Sequence, residues 1–153
     1  MSQPLQTIEE KIEQTKKLFI GRSSEEKIHC LLNLGRTLPL YPGDQKIAAY
    51  RVSGCQSILY ISSHFDNGRV FFTACADALI SAGLASLLIS VYSGESPETI
   101  LKTPPDFLLE TGLFSTLTPS RSNGLAHIHQ RIKKDAIKFL LSTAKSMELN
   151  SPA

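Results

Sequence analysis

Cysteine is scarce in this chain of 153 residues: Cys30, Cys55 and Cys75 make an odd count with no CxxC pair. That argues against a disulfide framework or a zinc ribbon and makes a reducing cytoplasm the expected compartment. A charge excess of one sign is lacking as well. The 16 Lys+Arg and 14 Asp+Glu give a formal charge of +2 and lie dispersed, without the basic block that nucleic acid would call for. No hydrophobic run reaches membrane length, since the most apolar stretch, Ala78 to Tyr92, falls short of the roughly 20 residues a span needs. The opening M-S-Q-P-L-Q-T-I-E-E-K is too polar and acidic for a secretory signal, which predicts a soluble, unprocessed protein. Internal repeats and low-complexity segments are missing too.

What is present suffices for a core. Hydrophobic residues make up 42%, and the length fits a single domain, 1–153, with its core over about 7–145 and a frayed tail after Met147. Ile8, Ile12, Leu18 and Phe19 predict an amphipathic helix over Thr7 to Ile20, ended by Gly21. Ser23 with Glu26 three residues on has the form of a capping box, opening a second helix that stops at Gly35 and carries Cys30 on its core side. The prolines and glycine of L-P-L-Y-P-G-D impose a loop from Leu38 to Gln45, and an extended segment from Ile47 to Val52 should follow.

Ile58 to Phe65 and Arg69 to Cys75 read as strands joined by Asp66-Asn67-Gly68, with Leu59, Ile61 and Phe65 sharing an apolar side with Val70, Phe72 and Ala74. Asp77 is expected to cap a buried helix through Tyr92. Ser96-Pro97-Glu98 opens a short helix ending before Pro104-Pro105, and another follows from about Asp106 to Glu110. The last helix should run from Leu125 to Ala144 behind the stripe Ile128, Ile132, Ala136, Phe139 and Leu140. Helices flanking one run of strands predict an α+β fold, a small antiparallel sheet of about three strands covered by helices.

Chemistry centres on V-S-G-C-Q-S. Cys55 falls on a loop between extended segments, and Gly54 beside it removes a Cβ that would crowd a reactant. The thiol reads either as an accessible nucleophile or sulfur carrier, or as a small apolar filler at a strand end, and residue chemistry leaves both open. Cys30 reads as packing, while Cys75 ends a strand without a clear role. His127 and His129, two apart on a helix, point in different directions and form no shared base or ligand site, and His64 falls on the polar strand face. Arg121, in P-S-R-S-N-G ahead of the last helix, could neutralise an anion such as a persulfide or a partner's carboxylate; the plainer reading has Ser120 or Ser122 capping the helix.

Five stretches in order carry a resemblance: L-G-R-x-L-P (Leu34 to Pro39), R-V-S-G-C-Q-S (Arg51 to Ser57), D-A-x-I-x-x-G-L (Asp77 to Leu84), Y-S-G-x-S-P-E-x-I-L (Tyr92 to Leu101) and G-L-x-x-x-L-T-P-S-R-S-N-G-L (Gly112 to Leu125), where x is any residue. Together they resemble the SufE family, from about Glu25 to the last helix. The resemblance implies a sulfur acceptor in which Cys55 carries a persulfide, supported by Gly54, Gln56 and Ser57, with Asp77 and Arg121 positioning the loop or partner. The partners it implies are a pyridoxal-phosphate cysteine desulfurase of the SufS type, which the protein stimulates, and an iron-sulfur cluster assembly scaffold of the SufBCD type, which receives the sulfur. It further implies a non-catalytic accessory protein, monomer or homodimer, with no metal and no cofactor of its own; the pyridoxal phosphate belongs to the desulfurase.

Two departures stand out against the resemblance. The family is usually acidic just before D-A, where this chain has Ala74-Cys75-Ala76-Asp77, and a tryptophan common near the start of the second helix is absent. Strand pairing sets Cys75 opposite about Tyr60, roughly 17 Å along the strand from Cys55, so no stable disulfide is expected between them. The competing readings are a metal-binding iron-sulfur scaffold that uses the cysteines as ligands and a cysteine hydrolase, the latter weakened by the lack of an identifiable histidine partner.

Overall fold

A computed structural model describes residues 6–55 and 57–149. Its first two helices begin where the sequence predicts. Thr7 Oγ1 accepts from the Glu10 N–H to start α1 (Ile8–Lys17), and both halves of the Ser23–Glu26 capping box are made at the head of α2 (Ser24–Arg36). The hairpin also follows its sequence. Strands β1 (Leu59–Asp66) and β2 (Arg69–Ala76) pair antiparallel with Asp66 opposite Arg69, and Asn67 (φ 52) with Gly68 (φ 78) supplies the two left-handed residues of a tight turn. Tyr60 faces Cys75 across the ladder, and all three cysteines are free thiols.

The sheet has two strands among the described residues where about three were expected. Ile47 to Val52 is not extended: Tyr50 N–H bonds back to Ile47 O and Arg51 N–H to Ala48 O, winding Ala48–Tyr50 into a 3-10 turn. Those local bonds use the donors a third strand would have offered, so only Arg51 bridges to Tyr60. Phe65 also leaves the predicted buried face; it is 37% exposed and stacks on Phe139 with ring centroids 5.4 Å apart.

Behind the sheet runs α3 (Leu79–Tyr92), the most buried helix, with Leu84, Leu87, Leu88 and Val91 fully enclosed. Asp77 does not cap it. The cap position is Ala78, which makes no side-chain bond, and the Asp77 carboxylate turns to the loop before β1 instead. Contact with α2 is at backbone range: a Cβ on Gly35 would sit 2.7 Å from Leu79 O, and one on Gly83 would overlap the Leu31 carbonyl. The glycines of L-G-R and of A-G-L therefore serve helix packing.

Short helices α4 (Pro97–Lys102), α5 (Phe107–Glu110) and α6 (Leu113–Thr116) lead into α7 (Pro119–Leu149). Ser96 caps α4 with Pro97 in its first turn, as predicted. The last helix starts earlier than the expected Leu125, because Thr118 accepts from the Arg121 N–H through Oγ1 and from the Ser122 N–H through its carbonyl. Ser120 and Ser122 are thus inside the helix, and the cap role falls to Thr118. Arg121 and Gly124 consequently stand on the first turns of α7, against α3. No described helix is long and apolar enough to cross a membrane.

Candidate functional site

The loop that carries Cys55 is closed at its base by the Val52 N–H donating to Leu59 O at 2.9 Å. Asp77 holds its second leg from both sides: Oδ1 accepts from the Ile58 N–H at 2.9 Å, and its own N–H donates to Ile58 O at 3.0 Å. Ser57, buried, donates through its hydroxyl to Ser81 Oγ on α3. On the first leg Gly54 adopts φ +85, and a Cβ there would overlap the His127 ring from α7. Glycine is needed twice over, for the left-handed backbone and for the close approach of the imidazole.

Cys55 is half-buried and meets two spaces. Inward it lines a cavity of about 10 Å³, the room of roughly a single water, shared with Leu59, Ser81, Leu84, Ser120, Arg121, Gly124 and Ile128. Outward it borders an open groove with Ala48, Arg51, Val52, Ser53 and Gly54. Arg121 is the only charged side chain among the described residues on the inner cavity, and its Nη1 donates to Ser81 Oγ at 2.8 Å. Burial pushes the Cys55 thiol above its ordinary range, and the Arg121 charge pulls it partly back. The Cys55 thiol therefore gives up its proton less readily than a free cysteine, while the cation beside it favours its anion.

Of the residues singled out in the sequence, Cys55, Gly54, Ser57 and Arg121 come together here, and Asp77 braces the loop from its base through Ile58; Gln56 lies outside the described residues. Cys75 stands apart, in a separate groove with Lys46, Ile58, Tyr60 and Asp77. Its thiol is likewise raised by burial. Three residues escaped the sequence reading. Ser81 shows in the sequence only as a polar residue inside an apolar helix, Gly124 only as the end of the quoted S-N-G with no role of its own, and His127, which shares no site with His129, reaches Gly54 by itself. Among the described residues no group of three or more His, Cys, Asp or Glu is placed to hold a metal ion.

The SufE family model, the Fe-S metabolism associated domain, matches residues 11–136. This chain belongs to the SufE family. An uncharacterized SufE-like protein of Synechocystis is 40% identical over 111 residues, 72% of this chain and 70% of that protein. The Arabidopsis thaliana SufE-like protein 1, chloroplastic/mitochondrial, is 32% identical over 88% of this chain and 37% of its own length. The Plasmodium falciparum cysteine desulfuration protein SufE is 32% identical over 80% of this chain and 52% of its own length. The chain thus spans about half or less of the last two relatives. The solution structure of a hypothetical protein from Thermus thermophilus superposes with a TM-score of 0.72 at 28% identity, covering 86% of this chain and 96% of that one.

The SufE motifs divide by what they do here. Gly35 and Gly83 bring α2 and α3 to backbone contact, while Gly54, Ser57, Asp77, Arg121 and Gly124 surround the Cys55 thiol or brace its loop.

Proposed function

We propose that this protein accepts and carries sulfur: Cys55 takes the terminal sulfur of a cysteine desulfurase's persulfide and passes it to an iron-sulfur cluster assembly scaffold. The observation that carries this reading is the placement of the Cys55 thiol between an open groove and a small, more sheltered cavity with room for about one small atom, with Arg121 as its only charged wall among the described residues. Family membership in an Fe-S metabolism associated domain, and a relative named for cysteine desulfuration, support it.

The transfer is an exchange at sulfur. The Cys55 thiolate attacks the terminal sulfur of the partner's persulfide, a new S–S bond forms to Cys55 Sγ, the partner's S–S bond breaks, and the partner's cysteine leaves as thiolate. The terminal sulfur keeps its proton or loses it to solvent, and no net oxidation occurs. Removing the persulfide frees the partner's cysteine for another turnover, which is how an acceptor stimulates a desulfurase. Once loaded, the terminal sulfur fits the inner cavity, away from stray thiols and beside the Arg121 charge. Delivery to the scaffold repeats the exchange in the outward direction. The protein supplies no cofactor in this scheme; pyridoxal phosphate works in the desulfurase.

The test is to incubate the protein with a pyridoxal-phosphate cysteine desulfurase and cysteine and to weigh the intact chain. A gain of one sulfur atom that vanishes in Cys55→Ser is expected. A wild type that stays unmodified while binding stoichiometric iron or zinc overturns the reading in favour of a metal scaffold.

A further inference from the structure

Ser81 is a buried hydroxyl on the most apolar helix of the fold, and burying it costs free energy unless it is hydrogen-bonded. Its oxygen accepts twice, from Arg121 Nη1 at 2.8 Å and from the Ser57 hydroxyl. A serine oxygen has two lone pairs and one proton, so both acceptor positions are filled and the proton is left over. Among the described residues Ser81 Oγ donates to no protein group, and the space beside it is the cavity that Cys55 lines.

We propose that Ser81 is the hydrogen-bond donor to the terminal sulfur of the Cys55 persulfide, held in donor orientation by Arg121 and Ser57. This rests on the carrier reading above and adds to it a specific partner for the cargo. Arg121 cannot accept and Ser57 is already donating, so the pair fixes which way the Ser81 proton points. The guanidinium also polarises the hydroxyl it touches, strengthening the bond Ser81 makes on its far side. A persulfide held as the anion by such a donor resists attack by external thiolates, because the attacking and attacked sulfurs are both negative. Arg121 is the only charged group among the described residues on the cavity; Asp77 lies at the loop base and His127 across Gly54, and neither lines it.

The test loads Cys55 with inorganic polysulfide, without any desulfurase, and removes the excess. Intact mass then follows the loss of the added sulfur to dithiothreitol, which releases it as sulfide and is itself oxidised to its disulfide. The pH dependence of the persulfide's near-ultraviolet absorbance reports its ionisation. In Ser81→Ala the sulfur is expected to leave about tenfold faster near neutral pH and the titration to move up by about one unit, as for a lost hydrogen bond to a charged group. The isosteric pair Ser81→Thr and Ser81→Val carries the same comparison if alanine disturbs folding, since only threonine keeps the hydroxyl; threonine should protect the sulfur and valine should not. Variants that all load and lose sulfur like wild type overturn the role of Ser81 and leave the carrier reading standing. A wild-type Cys55 that takes sulfur from neither polysulfide nor a desulfurase overturns both.

Discussion

Arg121 Nη1 meets Ser81 Oγ at 2.8 Å across 40 positions of the chain, tying the first turns of α7 to the first turn of α3 beneath Cys55. The bond aims a cation at a cavity whose described lining contains no other charge. It sets the first expectation, about pH.

The Cys55 thiol is raised above its ordinary value of 9.0 by burial and partly lowered by Arg121. The folded protein therefore holds this proton more tightly than the unfolded chain does. Its contribution to stability is fully present below the unfolded pKa and is lost as pH rises through that value toward the higher folded one. Alkylation of Cys55 by iodoacetamide in the free protein should accelerate over a pH interval above that of a small thiol. Arg121→Ala should move the midpoint further up and Arg121→Lys recover part of the difference. An unmoved midpoint in Arg121→Ala would mean the guanidinium does not act on the thiol.

Gly124→Ala separates stability from function. The new Cβ would meet only Cys55 Sγ within contact range, at an ordinary 4.0 Å, and alanine inside a helix is favoured over glycine by roughly 0.5–1 kcal/mol. Thermal melting should rise slightly. Because the methyl group projects into space a terminal sulfur would occupy, the yield of Cys55 persulfide should fall several-fold. Normal loading with unchanged mass gain would place the sulfur elsewhere.

Gly54→Ala should cost about 1–2 kcal/mol from its left-handed backbone alone, and the overlap with the His127 ring adds to that. His127→Ala in the same chain removes the overlap and leaves the backbone cost. Chemical denaturation of the single and double variants reads the two parts separately. Equal losses in both would show that His127 yields freely and does not brace the loop.

At Asp77, asparagine keeps an oxygen to accept from the Ile58 N–H and alanine keeps none. Asp77→Ala should lose about 1 kcal/mol and speed protease cleavage within 53–58, while Asp77→Asn stays near wild type. Hydrogen exchange of the Ile58 amide gives the direct measurement. If both variants exchange at the wild-type rate, the carboxylate does not hold the loop.

The elements that the sequence announced are the ones governed by neighbours in the chain. The Ser23–Glu26 box, the Ser96-Pro97 start and the Asn67-Gly68 turn each complete their bonds within a few residues, and each stands as expected. The failures have local causes too. At the head of α7, S-R-S-N-G shows no apolar period, which hides a helix that Thr118 and Pro119 already start. At Ile47 to Val52, a 3-10 turn outcompetes strand pairing that would have needed a distant partner.

The sequence by itself determined most of the helices but neither α6 nor the first turns of α7, together with the hairpin and a thiol on a loop beside a glycine, since capping, turn geometry and apolar periodicity act over a few residues. Only the tertiary structure decided that this thiol has a cavity. That space lies where α7 meets α3, walled by Leu84 and Ile128, with the small residues Ser81, Ser120 and Gly124 lining it beside Cys55. Hydrophobic burial fixes how the helices meet, and a pocket appears where the side chains at their junction are too small to fill it; no short-range pattern encodes that coincidence.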